Sequence, residues 1–346
     1  MLLGKECTVG KIKAIFVAVL VIIVLALSAP AVPVGTKKKQ RSEKSAAWLW
    51  RDPGDISSRD LFYGSGSRDG EPHEPFTFRK EDLQGTSPKF DVTDRDGIKW
   101  RVKLGVEARP ETAAARLIWA VGYFTPDDYF LPELRVRALP TVLSRGQKYI
   151  EKDGSIRNVR LKRDPGKKIG IWHWRDNPFS GTREFNGLRV MMAVINNWDL
   201  KDVNAAVYQV KVDAGMLEKR YAISDLGASF GTASQSYSGA RSKGNLEAYG
   251  ASQFIENVTP DFVDFFSPGQ PSPFVLVDPP LYFAERHLRW IGKHIARADA
   301  KWIGQLLGRL SPDQIRDAFR AAGYSSEEVE GFAAVVQDRI AQLNRL

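Results

Sequence analysis

Apolar and polar residues alternate from Phe90 to Val92 and again from Ile98 to Leu104, on either side of Asp94-Arg95-Asp96-Gly97. Period two flanking an Asp-Gly turn predicts a β-hairpin with one buried face. A helix follows: Pro110-Glu111 opens it, Leu117, Ile118 and Val121 recur at helical spacing, and Gly122 closes it. Residues 131–139, 148–161 (folded about Asp153-Gly154) and 169–174 are strand-like, the last ending in Trp172-His173-Trp174. Residues 183–197 return to helical period, with Phe185, Leu188, Met192 and Ile195 on one face. A short strand pair, 205–211 with 219–223, turns around Asp213-Ala214-Gly215. After Gly227 a Ser/Gly-rich stretch to Gly244 has the composition of a mobile segment. The remainder reads as helical, His287 and His294 included. Ser311-Pro312-Asp313-Gln314 and Ser325-Ser326-Glu327-Glu328 match capping boxes, and Gly323 ends the helix between them.

The pattern before this domain is different. Residues 14–35 form an apolar run without a charge, and about 20 such residues span a bilayer as a helix. The length favours a membrane anchor behind a tail of residues 1–13. A secretory signal cleaved near Ala29-Pro30-Ala31 is the alternative. Lys5, Lys11 and Lys13 precede the run and six basic residues follow it by Arg51, an excess that leans toward a cytoplasmic domain while leaving export open. The same cluster suits contact with anionic lipid head groups. Residues 36–75 are polar, rich in Gly, Ser and Pro, and read as a linker with Trp48 and Trp50 as anchoring points. The folded part then begins near Phe76.

Composition narrows the classes. With 346 residues, 43% hydrophobic and 26% charged, the chain can bury a large two-lobed core. The single Cys7 excludes an intrachain disulfide and a thiolate metal site. The net charge of +9 is concentrated at the N-terminus: nine of 50 Lys/Arg but two of 41 Asp/Glu lie in residues 1–51. The body is nearly neutral, which argues against a nucleic-acid partner. Lys148, Lys152, Arg157, Arg160, Lys162, Arg163, Lys167 and Lys168 make a basic run. Such a run reads first as a solvated hairpin, and second as a dock for an acidic substrate or membrane surface. The four histidines show no metal-ligand spacing, and there is no Ser-His-Asp grouping, Walker loop or internal repeat.

Candidate chemistry sits in Asn197-Trp198-Asp199-Leu200-Lys201-Asp202-Val203-Asn204 and, some twenty residues later, Asp225-Leu226-Gly227. Phosphoryl transfer needs an Asp to take the acceptor's proton, an Asn and a second Asp to hold metal, and a Lys near the moving charge. Upstream, Gly85-Thr86-Ser87-Pro88-Lys89 is a Gly/Ser turn able to present backbone N–H groups and a lysine to phosphates. Lys103 stands between Val102 and Leu104, where an inward cation needs a partner; Lys99 and Arg101 share its face. Glu111 and Glu107 are both candidates for that partner. Trp172-His173-Trp174 can frame an adenine through backbone groups at a hinge, pack as an aromatic edge strand, or do both.

This order of Gly turn, strand lysine, helix glutamate, Asp-x4-Asn loop and Asp-Leu-Gly resembles the protein-kinase-like superfamily over residues 76–346. The Gly85–Lys89 turn and the Asn197–Asn204 loop are similar to those of HipA-type kinases and their phosphatidylinositol-kinase-like relatives. The resemblance implies an α+β, two-lobed protein-kinase-like fold behind an N-terminal transmembrane helix, with a strand-rich lobe over 76–180 and a helical lobe over 181–346. It implies a membrane-tethered kinase using ATP and Mg²⁺, with a protein or small molecule as phosphate acceptor. Gly85, Ser87, Lys89, Lys103 and Glu111 then bind the nucleotide; Asp199 is catalytic with Lys201 assisting; Asn204 and Asp225 bind Mg²⁺. The chain departs from the pattern at Lys201, where HipA-type loops have His, and at Leu226, where Phe is usual. A catalytically inactive binding or scaffold protein of the same fold is the alternative.

Overall fold

The two-residue period of the first half resolves into one twisted sheet. The computed structural model describes residues 46–85, 87–212, 215–235, 241–269 and 272–346. The expected anchor at 14–35 and Cys7 lie outside the described residues. Among the described residues no helix is long and apolar enough to cross a membrane.

The chain enters through β1 (Ala47–Trp48) and three single-turn 3-10 helices, then β2 (Phe76–Asp82), β3 (Lys89–Thr93), β4 (Lys99–Lys103), α1 (Ala108–Ala120), β5 (Asp127–Leu134), β6 (Val136–Arg137), β7 (Ile156–Arg163) and β8 (Lys167–Gly170). Six of these strands form a sheet in the order β5-β7-β4-β3-β2-β6. Its two faces differ in kind. Phe90, Val92, Trp100, Val102, Val159 and Leu161 bury one face in a core of its own. Full burial of each such side chain is worth roughly 1.5–3 kcal/mol before entropy is counted. Lys103 lies opposite Lys89 on one neighbouring strand and Arg160 on the other, and Arg101 lies opposite Asp91 and Lys162. Directly paired residues share a face, so the opposite side of the sheet is charged.

The helical part follows: α2 (Arg183–Val194), the hairpin β9 (Ala205–Lys211) and β10 (Leu217–Ile223), β11 (Thr232–Gln235), β12 (Arg241–Ser242), α3 (Leu246–Gly250), β13 (Ile255–Val258), β14 (Phe262–Phe265), α4 (Pro279–Leu288), β15 (Ile295–Ala296), α5 (Arg297–Leu307), α6 (Pro312–Arg320) and α7 (Ser326–Asn344). A second, larger core joins one side of α1 to α2, α5, α6 and α7. Both expected capping boxes are present, at Ser311/Gln314 and Ser325/Glu328. The architecture is thus α+β, strand-rich in its first half and mainly helical in its second.

Several expectations need correction. The stretch read as a linker is packed from residue 46 onward: β1 pairs with β10, and Leu49, Ile56 and Leu61 are buried in the larger core. These apolar residues stand singly among polar ones, so no period reveals them. Residues 148–161 do not form a hairpin. Only Ile150 bridges Ile156, while β7 pairs with β5 and β4, where its apolar side finds a core. The end of the chain is not wholly helical either: β13, β14 and β15 form a small sheet. His294 leaves helical conformation at φ 55° and stacks on Phe262 at 3.7 Å. Trp172 and Trp174 lie beyond the end of β8, edge-on to each other at 4.9 Å and packed on Phe185. Their rings serve the core. The Ser/Gly stretch falls partly outside the described residues (236–240), but its flanks pair as β11 and β12.

Candidate functional site

β4 delivers Lys103 to the charged face beneath the start of α1. Glu107, immediately before that helix, and Glu111, one turn into it, are four residues apart and so project from the same side. Lys103 Nζ donates to Glu111 at 2.8 Å and to Glu107 at 2.9 Å. It also reaches both oxygens of Asp225, just beyond β10, at 3.1 and 3.2 Å. Sequence left Glu107 and Glu111 as alternatives; the lysine engages both. Lys103 is 4% exposed and Glu111 1%, whereas the Asp225 side chain is 41% exposed. Two buried anions therefore fix the lysine, and the third faces an opening.

Around this centre the charges alternate. Arg160, opposite Lys103 on β7, bonds Glu111 at 3.0 Å and Asp128 at 2.7 Å. Ser87 Oγ donates to Glu107 at 2.7 Å, and Lys243 Nζ also donates to Glu107. Burial pulls the Lys103 ammonium down, but Glu111, Asp225 and Glu107 outweigh it and hold the group above the ordinary lysine range. Burial pushes Glu107 up, yet Lys103 and Lys243 bring its carboxyl below the usual range. Asp225 is lowered likewise: burial opposes ionisation, and Lys103, Arg160 and the Gly227 N–H prevail over the repulsion of Glu107.

The second group of candidates lies on the loop after α2. Asp199 Oδ1 pairs with Lys201 Nζ at 2.8 Å. Asn204 Nδ2 donates to the Asp199 carbonyl at 2.7 Å, and the Asn204 carbonyl accepts from the backbone N–H of Ser224 at 2.7 Å. Asn204 therefore ties the Asp199 loop to the residue preceding Asp225. Trp198 N–H to the Ala228 carbonyl at 3.3 Å and Asn197 Nδ2 to Ser229 Oγ at 3.0 Å close the same seam.

The Gly turn is only partly integrated. Ser87 joins the cluster through Glu107, whereas Lys89 Nζ donates to the Gln84 carbonyl at 2.6 Å beside Gly85. Gly85 has φ 68°, a left-handed conformation in which a side chain is strained. The basic run is not simply solvated, since Arg160 and Lys162 are embedded in the charged face. Lys162 Nζ donates to the Ser224 carbonyl at 2.9 Å. A cavity of about 540 Å³ opens beside Asp91, Arg101, Lys162 and Asp164.

Arg160, Asp128 and Lys243 were not singled out as site residues. Arg160 was legible in principle, because it falls on the Lys103 side once β7 is put next to β4. Lys243 had no such signal.

The donor set bears on metal binding. Carboxylate oxygens of Glu107, Glu111 and Asp225 come within 4.8 Å of one another. That trio already encloses the Lys103 ammonium, which supplies the counter-charge. The Asn204 amide nitrogen is committed to Asp199, which leaves Oδ1 as an acceptor, and the Asp225 carboxylate is accessible.

No family model matches the chain, and no curated protein matches it. Among solved structures it is similar to the Helicobacter pylori proinflammatory kinase CtkA, at 11% identity and TM-score 0.43, over 78% of this chain and 95% of that one. It is also similar to the Rio2 kinase in its ADP/Mg²⁺-phosphoaspartate complex from Chaetomium thermophilum, at 11% identity and TM-score 0.31, over 77% and 72%. Both are partial likenesses, and neither assigns a residue or a reaction to this chain.

Proposed function

We propose that this chain is an ATP-dependent phosphotransferase of the protein-kinase-like type. The observation that carries the reading is Lys103: a buried ammonium held by α1 from one side and meeting Asp225 of the helical part on the other. A cation whose position is set in this way needs no movement of its own to meet a polyphosphate once Asp225 is drawn off it, and fixed charge is the condition under which electrostatic catalysis is strongest. In this reading Lys103 holds nucleotide phosphates and Glu111 orients it. Ser87 and the Gly85–Lys89 turn cover the phosphates, which keeps the HipA-type loop as the nearest pattern. Asp199 accepts the proton of the acceptor's hydroxyl as that oxygen bonds to the γ-phosphorus and the bond to ADP breaks. Lys201, paired with Asp199, moves to the transferred phosphoryl oxygens. Asn204 Oδ1 and Asp225 are the proposed ligands of Mg²⁺, which when bound neutralises phosphate charge. Residues 14–35 are the proposed membrane tether, and the acceptor is a protein or a small molecule.

Thermal stabilisation by ATP with Mg²⁺, compared with Asp225→Ala, tests nucleotide binding. The wild type is expected to shift and the variant not; equal shifts would remove Asp225 from the metal site. Transfer of labelled γ-phosphate, compared with Asp199→Ala, separates an enzyme from the inactive alternative. A loss of about 10²–10⁴ is expected for a proton-accepting carboxylate. Binding without any transfer by the wild type would favour the binding or scaffold reading.

A further inference from the structure

A separate cavity of about 500 Å³ opens beside the first turn of α1, between the β5–β7 connection and the α6–α7 junction. Four cations line it, Arg109, Lys148, Arg157 and Lys243, against Glu151 and Glu328. Glu328 is already engaged: its carboxylate accepts the Ser325 N–H at 2.9 Å as half of the α7 capping box. Arg109 also pairs with Glu328 and Arg157 with Glu133, both at 3.9 Å, and Lys243 with Glu107, so the lining is positive by residue type but Lys148 alone of the four has no ion pair among the described residues. The positive end of the 13-residue helix α1 adds to it.

Two features give this cavity the character of a built site. The Arg109 guanidinium is held near the rings of Tyr324 at 5.6 Å and Phe130 at 5.9 Å, with Asn158 Oδ1 at 3.4 Å, so its donor fork is pre-oriented. Tyr324, 8% exposed, has a hydroxyl without a hydrogen-bond partner among the described residues. That hydroxyl lies under Gly244, part of the lining, where a Cβ would collide with it. The hydroxyl has almost no accessible surface, so a ligand acceptor pairs with it only where the Lys243-Gly244 segment shifts.

We infer that this cavity binds a phosphate monoester. Arg, Lys and a tyrosyl O–H are all donors, which matches an oxyanion with several acceptor oxygens. The volume exceeds what a bare anion fills and lies in the range of small-molecule sites. Val106, Pro110 and Tyr149 offer apolar wall to an organic body. Lys243 connects the cavity to the Lys103 cluster, since its Nζ bonds Glu107, which also accepts from Lys103. An anion that draws Lys243 away from Glu107 therefore perturbs the cluster without entering it.

Calorimetric titration of the full chain in detergent, with O-phosphoserine and separately with inorganic phosphate, tests the site. Saturable one-site binding of phosphoserine is expected, tighter than that of inorganic phosphate. It should weaken at least about tenfold in the Lys148→Gln/Arg157→Gln double variant, whose side chains are exposed, and severalfold in Tyr324→Phe. Absence of saturable binding overturns the proposal. Binding retained in the double variant but lost in Lys103→Met places the anion at the other cluster and overturns it equally. Phosphoserine binding no tighter than phosphate overturns the monoester class. None of these outcomes depends on whether the chain transfers phosphate.

Discussion

Replacing Lys103 by Met removes an ammonium from the centre of three carboxylates and leaves its volume filled. Removing one partner of a buried ion pair costs about 3–5 kcal/mol, because the other charge stays buried and unpaired. Here the lower end applies. Glu111 keeps Arg160 at 3.0 Å, Glu107 keeps Lys243, and Asp225 is accessible enough for water to replace part of the lost contact. A loss near 3 kcal/mol is a large part of the ~5–15 kcal/mol that holds a folded chain. With a urea slope of about 3 kcal/mol/M, the midpoint falls by about 1 M. The pH dependence is the sharper signature. Without the lysine, burial and mutual repulsion raise the carboxyl pKa values above their unfolded values. The folded variant then binds more protons than the unfolded chain, so its stability decreases as pH rises through the raised pKa. The deficit against wild type should be largest at pH 7 and shrink toward pH 5. Urea melts of the full chain at several pH values measure it. A midpoint unchanged at pH 7, or a deficit that grows on acidification, would refute the account of the cluster.

Three further outcomes follow from other parts of the structure. Ile56, fully buried in the segment that precedes β2, should cost about 2–5 kcal/mol on truncation to Ala; a shift under about 0.5 kcal/mol, the surface-substitution range, would mean that this segment adds nothing to the core. Tyr324→Phe should raise ligand-free stability by about 1 kcal/mol, since it deletes an unpaired buried hydroxyl; a comparable loss in urea melts would mean the hydroxyl has a partner. Glu107 and Asp225 have folded pKa values below their unfolded ones, so their contribution is complete above about pH 4.5 and disappears as pH falls through the folded values. Burial pushes the Glu111 carboxyl up and opposes this trend, so the test uses a Glu111→Gln background, where melts should be flat in this respect from about pH 8 to about 5.5 and weaken below about 4.5; a maximum near pH 4 there would contradict the directions assigned.

What sequence could and could not reveal divides along physical lines. The β3–β4 hairpin, α1, α2 and both capping boxes were legible because each is written in a short window: a period, a turn or a cap. The pairing of Lys103 with an acid of α1 was legible too, since an inward cation on a strand requires an anion nearby. Which acid was not, because Glu107 and Glu111 stand one helical turn apart on the same side. The position of β7 between β5 and β4 is a long-range choice made by core packing, and the local turn at Asp153-Gly154 pointed elsewhere. Leu49, Ile56 and Leu61 escaped for a related reason: isolated anchors have no period. Lys243 meets Glu107 across 136 residues, a contact that no local pattern encodes.

Charge balance links the two halves of the site. Glu107, Glu111 and Asp225 are matched by Lys103, Arg160 and Lys243, and Asp128 on Arg160 leaves the group slightly negative. A triphosphate cannot enter such surroundings on the strength of Lys103 alone, because each phosphate charge would compete with carboxylates that already hold the ammonium. Entry requires added positive charge or a carboxylate that turns away. Asp225 is the member able to turn, being the accessible one and lying outside α1. If a divalent cation takes its carboxylate, Lys103 loses one anion and regains attraction for phosphate, while Glu107 and Glu111 keep it in place. Nucleotide affinity should then depend steeply on Mg²⁺ in the wild type. The dependence should be weaker in Asp225→Asn, whose neutral amide does not repel phosphate and holds a cation less firmly than a carboxylate. A steep dependence surviving in that variant would mean that the metal is held by other groups.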